Sequence, residues 1–225
     1  MKSKKSNIAI FNTFKTPKDK FTGEAKRQRG ILIHLATEKS PELRTRTSIA
    51  HAIAKNNGIF WQNIYSGIFK DLDEVLIPSN IVKEEGRLPL KRGPKTLQLE
   101  GVPFYELTDT GLLVASSIEE LGNSRIKILD SYLNKMSTFE QDQIVLKESM
   151  LLLLKIAPLF MTKIIDKYIH AYSTGKIDSI IPFSAEKIRC IVGEHISIAK
   201  QFVDAYDNAI PEQKVLIKKF FSILD

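Results

Sequence analysis

The stretch Lys91-Arg92-Gly93-Pro94-Lys95 and the run Phe104-Tyr105-Glu106-Leu107-Thr108-Asp109-Thr110-Gly111 that follows it constrain this chain more than any other part. Adjacent glycine and proline reverse the backbone. The aromatic run that returns from them reads as a strand. Its Thr-x-x-Gly ending reads as the start of a helix capped by Thr108. The expected product is a two-stranded ribbon with cations at its tip, over residues 84–103 or so. From Gly86 to Leu99 there are four cations (Arg87, Lys91, Arg92 and Lys95) and no acid.

Residues 47–77, just upstream, read as two short helices with a tight turn between them. Thr47 is expected to cap a helix over residues 48–55 that turns Ile49, Ala50, Ile53 and Ala54 inward. Asn56-Asn57-Gly58 supplies residues that tolerate positive φ, as a turn between helices requires. A further helix, from about Phe60, places Trp61, Ile64, Ile68 and Leu72 at i, i+3, i+7 and i+11. That spacing leaves Gln62, Asn63, Ser66 and Lys70 on one polar flank, bordered by Tyr65. Gln and Asn pair bidentately with adenine in a DNA major groove, and a basic ribbon beside such a helix can lie along the phosphate backbone. Gly67 stands inside this helix at a cost of about 1 kcal/mol relative to alanine. Either it allows close approach of the backbone to DNA, or the helix boundary lies elsewhere. Before these elements, residues 22–37 read as a helix with Ile31, Leu32, Leu35 and Ala36 inside, and Ser40-Pro41-Glu42 starts a single helical turn.

Ser48-Ile49-Ala50-His51-Ala52-Ile53, then Gly58-Ile59, Ile64-Tyr65, Ile68, Leu72 and Val75-Leu76-Ile77, resembles the winged-helix core of archaeal and bacterial regulators of the MarR and PadR type. The run from Phe104 to Gly111 resembles the second wing strand of that family. The resemblance covers about residues 22–121 and none of the C-terminal half. It implies base-reading roles for Gln62, Asn63 and Ser66, and phosphate contacts for Lys70, Arg87, Lys91, Arg92 and Lys95. Tyr65, with Arg44, Arg46 and Thr47 at the start of the preceding helix, completes the candidate DNA-binding set. The wing is long for the family, and Thr96-Leu97-Gln98-Leu99 reads as a helical turn inside it.

The net charge of +7 gains meaning when it is located. Residues 1–30 carry nine Lys/Arg against two Asp/Glu, whereas residues 31–110 and 111–225 are each neutral. A basic N-terminal arm over residues 1–21 therefore precedes a winged helix-turn-helix domain over residues 22–122. Such an arm suits phosphate attraction that ignores sequence, although a lysine-rich start is as often a solvated tail. Hydrophobic content of 43% and charged content of 26% are ordinary for a soluble domain. One cysteine, Cys190, forms no internal disulfide and points to a reducing cytoplasm. No signal peptide is indicated, and the most apolar region, residues 144–161, is broken by Lys147, Glu148 and Lys155 and is too short to span a bilayer.

Residues 123–225 read as almost wholly helical. Residues 124–137 form a short helix, and Thr138 opens a long one that Pro158 kinks. Another runs from Ser184 to about Tyr206, with Ile188, Ile191, Val192, Ala199, Phe202 and Val203 on one side. Pro211 begins the last, with Val215, Leu216, Phe220 and Leu224 facing in. The helix through Leu151, Leu152 and Leu154 is apolar on most of its circumference, so neighbours or a second subunit should bury most of it. Regulators that read paired half-sites dimerise, and a homodimer through residues 124–225 is the expectation, with ligand sensing a weaker one and no effector identified.

The fold class expected is therefore mainly α with a small β wing. His34, His51, His170 and His195 are scattered, and neither a Cys-x-x-Cys nor a nucleophile-elbow motif is present. The reading is of a non-enzyme without cofactors that binds double-stranded DNA. The alternative is an adaptor whose winged helix and helical half bind proteins of nucleic-acid machinery.

Overall fold

The computed structural model describes residues 8–16, 20–58, 62–89, 100–138 and 141–224. The chain is mainly α-helical with a small β wing. It runs through α1 (Gly23–Thr37), a 3-10 turn (Pro41–Arg44), α2 (Arg46–Asn57) and α3 (Gln62–Lys70), which continues into a π-helical turn (Asp71–Leu76). The strands β1 (Val82–Leu88) and β2 (Val102–Leu107) follow, then α4 (Asp109–Ala115) and a 3-10 turn (Glu119–Leu121). The remainder is α5 (Ser124–Lys135), α6 (Gln141–Ile156), α7 (Pro158–Ser173), α8 (Ala185–Asn208) and α9 (Pro211–Leu224).

Two compact units result, one ending at Phe183 and one running from Ser184. The compositional change near residue 123 is not a boundary of this kind. Helix α5 packs on α4 and buries Leu129, Tyr132 and Leu133. Arg125 strengthens the join: its Nε donates to the Ser116 carbonyl at 2.7 Å, and its guanidinium pairs with Asp166 of α7. The basic N-terminal segment is likewise tied down at residues 8–13. Ile8, Ala9 and Ile10 are buried, the Ala9 N–H donates to Gln28 Oε1 at 2.8 Å, and Thr13 bridges to Phe21. The first seven residues, with Lys2, Lys4 and Lys5, lie outside the described residues.

Helix α2 begins earlier than expected. Thr45, not Thr47, is its cap, with Thr45 Oγ accepting from the Ser48 N–H at 3.3 Å, so Arg46 and Thr47 stand in its first turn. Asn56 and Asn57 stay helical, and the turn is made at Gly58, whose φ of 64° is the left-handed conformation a helix C-cap uses. Strands β1 and β2 pair antiparallel from Val82↔Leu107 to Leu88↔Val102, with an irregularity between Glu84 and Gly86. Thr45 adds a single bridge to Phe104, which brings the start of α2 to the sheet.

The Thr-x-x-Gly signal is met as expected, and its glycine has a steric cause. Thr108 Oγ accepts from the Gly111 N–H at 3.0 Å and donates to the Asn80 carbonyl at 2.5 Å, tying the start of α4 to the start of β1. A Cβ at Gly111 would sit 2.1 Å from the Ile81 carbonyl oxygen, a backbone atom that cannot swing away. Further on, the expected single kinked helix is two helices. Ala157 leaves the helical region (φ −142°, ψ 62°) and Pro158 takes the first turn of α7, where a missing N–H costs nothing.

Burial in α6 is narrower than its composition predicts. Met150 and Leu154 are buried, whereas Val145, Leu152 and Ile156 are more than half exposed, because α5 and α7 cover only one side. Within the second unit, α8 is capped by Ser184, and Phe202 meets Phe221 edge-on at 5.8 Å to join α8 to α9. Ile188 and Val192 are buried, but Phe202, Val203, Val215, Leu216 and Phe220 are 45–69% exposed rather than facing a core. Two helices alone do not enclose a core, so these positions stay half exposed even where, as at Phe202, they touch the facing helix. The side chain of Leu224 lies outside the described residues.

Substituting Gly111→Ala should lower the urea midpoint by the equivalent of about 1–3 kcal/mol without changing the slope of the transition, as overpacking against fixed backbone does. Thr108→Ala should cost about 1 kcal/mol through loss of the cap. A Gly111→Ala chain as stable as the parent would show that the Ile81 carbonyl is not fixed.

Candidate nucleic-acid interface

Helix α3 is two-faced, as the spacing predicts. Ile68 and the following Leu72 are fully buried and Ile64 is half-buried, while Gln62, Ser66 and Lys70 face solvent. Asn63 is helical, but its side chain lies outside the described residues, as does the whole of Trp61. Tyr65 packs against Phe69 with ring centroids 4.5 Å apart, and its hydroxyl is 3.4 Å from Thr47 Oγ. The exposed part of this face thus joins Thr47 on α2 to Gln62, Ser66 and Lys70 on α3.

The cations expected to meet phosphate divide into two groups. Arg46 is engaged internally on every side. Its Nε donates to the Tyr105 hydroxyl at 2.6 Å, its terminal nitrogens form a two-pronged pair with Asp73, and the guanidinium lies 4.4 Å over the Phe69 ring. Burial would lower its pKa, but the Tyr105 and Asp73 oxygens outweigh that and hold it above the usual arginine value. This side chain fastens α2 to the π-helical turn and to β2. Arg44 lies over Phe104 at 5.4 Å with Glu106 3.7 Å away, and Arg87 on β1 pairs with Glu84 at 2.7 Å and Glu100 at 3.4 Å. Lys83, across the strand from Glu106, pairs with it at 2.7 Å. Of the described candidates only Lys70 stands well out into water, 68% exposed with a loose 3.9 Å partner in Glu74. Lys91, Arg92 and Lys95 lie outside the described residues, as does the helical turn expected at residues 96–99.

Sequence reasoning missed the polar cluster behind α3. Asp71, 2% exposed, accepts from Arg27 Nε at 2.7 Å and from Gln28 Nε2 at 3.3 Å. Gln28 is fully buried and also holds the Ala9 N–H. Arg29 pairs with Glu120 and donates to the Ile10 carbonyl at 3.0 Å. Burial pushes the Glu120 carboxyl up, but Arg29 outweighs it and leaves it below its ordinary value. The available signal was three long polar residues, Arg27, Gln28 and Arg29, in the middle of a helix that also turns Ile31 and Leu32 inward.

This cluster accounts for Gly67. A Cβ there would fall 2.7 Å from Arg27 Nε and 2.9 Å from Arg27 Cζ. The glycine opens a passage across α3 through which Arg27 reaches Asp71; it faces the half-buried Arg27 side chain and leaves α3 intact. Among the described residues no cluster of three His, Cys, Asp or Glu side chains could hold a metal ion, and no helix is long and apolar enough to cross a membrane.

No protein-family model, curated protein or solved structure matches this chain.

Gly67→Ala should destabilise the chain although alanine is the better helix former, because the methyl group displaces a guanidinium from a buried carboxylate. In an Arg27→Ala background the same change should become neutral or stabilising by up to about 1 kcal/mol. Equal effects in both backgrounds, measured by urea unfolding, would remove Arg27 as the reason for the glycine.

Proposed function

We propose that this chain is a DNA-binding regulator that places α3 in the major groove and the basic ribbon tip along the phosphate backbone. The observation that carries the reading is the outward polar flank of α3, where Gln62, Ser66 and Lys70 are exposed while the opposite side is buried. A helix that presents hydrogen-bonding side chains beside a two-stranded ribbon suits reading of base edges. Among the described residues, none of the large apolar side chains exposed by more than a third lies on α3. The base-reading residues are Gln62, Asn63 and Ser66, with Thr47 and Tyr65 beside them. Lys70, Lys91, Arg92 and Lys95 supply phosphate contacts. Arg44, Arg46 and Arg87 are not free for that task, since each faces an acid within the fold.

A homodimer through residues 124–225 belongs to the same reading. It is supported by the apolar side chains that α6, α8 and α9 leave in water, Ile156 at 69% and Leu216 at 69% among them. Two copies of α3 would then meet successive major grooves about 34–36 Å apart. The same exposed residues favour the second reading, an adaptor that binds other proteins through its helical half.

Affinity for genomic duplex fragments should fall by roughly 10³–10⁵ between 50 and 200 mM salt if a dimer makes about 6–10 phosphate contacts. Fluorescence anisotropy measures this directly, and no binding at the low-salt end would favour the adaptor.

Substitutions should separate reading from positioning. Gln62→Ala should erode discrimination between sites by about 1–3 kcal/mol, whereas Arg92→Ala with Lys95→Ala should weaken all sites alike and flatten the salt slope. Arg46→Ala should leave the salt slope unchanged and instead cost stability, about 1–3 kcal/mol, because it breaks hydrogen bonds made by a charged group inside the fold. An Arg46→Ala chain that kept full stability but lost a phosphate contact would reverse that assignment.

A further inference from the structure

Tyr132 on α5 and Tyr168 on α7 are both buried, and they differ in one respect. The Tyr168 hydroxyl donates to the Ile180 carbonyl at 2.8 Å. The Tyr132 hydroxyl has no hydrogen-bond partner among the described residues, although the residue is only 4% exposed. It is not sealed off, because among the described residues Arg44 Nε is the one unpartnered side-chain polar atom wholly out of reach of solvent. Tyr132 lines a cleft of about 200 Å³, and its hydroxyl reaches solvent through that cleft. Burial, and then the Asp109 charge, push its pKa up to about 12, so it stays a neutral phenol that can both donate and accept.

The cleft lies between the start of α4, the end of α5, the first turn of α6 and residues 181–183, all within the first unit. Asp109 at the start of α4 and Lys135 at the end of α5 are exposed on its wall, and neither has an ion-pair partner among the described residues. Ile181, 39% exposed, with the exposed Pro182 and the half-buried Met136, gives the cleft an apolar side that a ligand can touch. That side is held in place: Phe183 packs edge-on against Tyr168 with centroids 4.7 Å apart, and Tyr168 fixes the Ile180 carbonyl.

One unpaired charge of each sign selects against an ion of a single sign, since an anion would face Asp109 and a cation would face Lys135. A zwitterion meets both. Its ammonium group carries three donors, enough for the Asp109 carboxylate and the Tyr132 oxygen together, and its carboxylate is left for Lys135. The volume falls below the roughly 300–1,000 Å³ of sites for drug-sized ligands, which limits the occupant to few atoms.

We propose that this cleft binds a small aliphatic α-amino acid, with its ammonium group between Asp109 and the Tyr132 hydroxyl, its carboxylate toward Lys135, and its side chain against Ile181, Pro182 and Met136. The site shares no residue with α3 and does not depend on whether that helix meets DNA.

The test is a calorimetric titration of the full chain with L-leucine, with isocaproate and isopentylamine as the analogues that keep one charge each. Leucine should bind saturably at one site per chain, and each analogue should bind at least tenfold more weakly. Tyr132→Phe keeps the ring that fills the core and removes only the hydroxyl; it should raise the leucine Kd about tenfold or more, the loss of a hydrogen bond to a charged group. Asp109→Asn, at an exposed position, should raise it about two- to fivefold, the effect of one solvent-screened charge. In the parent, leucine should also move the ring signal of ¹³C-labelled Tyr132, assigned by its absence from Tyr132→Phe, with the same midpoint. The proposal is overturned if leucine gives no saturable binding, if either analogue equals it, or if Tyr132→Phe binds leucine as the parent does. Binding that leaves the Tyr132 ring signal unmoved would place the amino acid elsewhere and overturn it equally.

Discussion

The carboxylate of Asp71 holds the first unit together where it is most heterogeneous. It lies at the junction of α3 with the π-helical turn, almost wholly out of water, and takes hydrogen bonds from two consecutive residues of α1. Gln28, one of those donors, turns its other end to the buried N-terminal segment, so three stretches of chain far apart in sequence meet on one polar chain of bonds. Removing a single member would strand the rest, because an unpaired buried charge costs more than the pair contributes. The apolar core around Ile31, Leu32, Ile49, Ile68 and Leu72 supplies the driving force. The polar chain selects the arrangement in which that core is closed.

A similar division separates the arginines of the candidate interface. From sequence, Arg44, Arg46 and Arg87 were equivalent to any other exposed cation. In the fold each is turned back on an acid or an aromatic ring, with Arg46 joining α2, the π-helical turn and β2 in one contact. The helix that would read bases and the ribbon that would flank it are thereby held through a shared side chain. Charge counted along a sequence overstates what is left for a polyanion, since pairing within the fold consumes part of it.

What was legible in the sequence was local. Period 3.6 in α1 and α3, the turn at Gly58, the Thr108–Gly111 cap, the return strand from Phe104 and the starts at Pro41 and Pro211 are signals carried by a few neighbouring residues, and these elements stand where the signals put them. What was not legible depends on residues far apart. The α2 cap lies at Thr45 rather than Thr47, at a residue that also bridges to Phe104, 59 residues away by number. Burial of Ile8–Ile10 rests on Gln28 and Arg29, and the reason for Gly67 rests on Arg27. The apolar positions of α8 and α9 look like core by spacing, yet a hairpin of two helices leaves most of them about half exposed.

The π-helical turn at Asp71–Leu76 widens the helix that α3 begins. Its i→i+5 bonds, such as the Ile77 N–H to the Leu72 carbonyl at 2.9 Å, admit one residue more than an α-turn would hold. Both rows of α3 run on through the π-helical turn: Asp71, Leu72, Val75 and Leu76 turn inward, while Asp73 and Glu74 stay exposed beyond Lys70. The inner row carries the packing, and Gln62, Ser66, Lys70, Asp73 and Glu74 outside it are exposed. Selection acting on the outer row can vary what this helix touches without reopening the question of how the domain is packed.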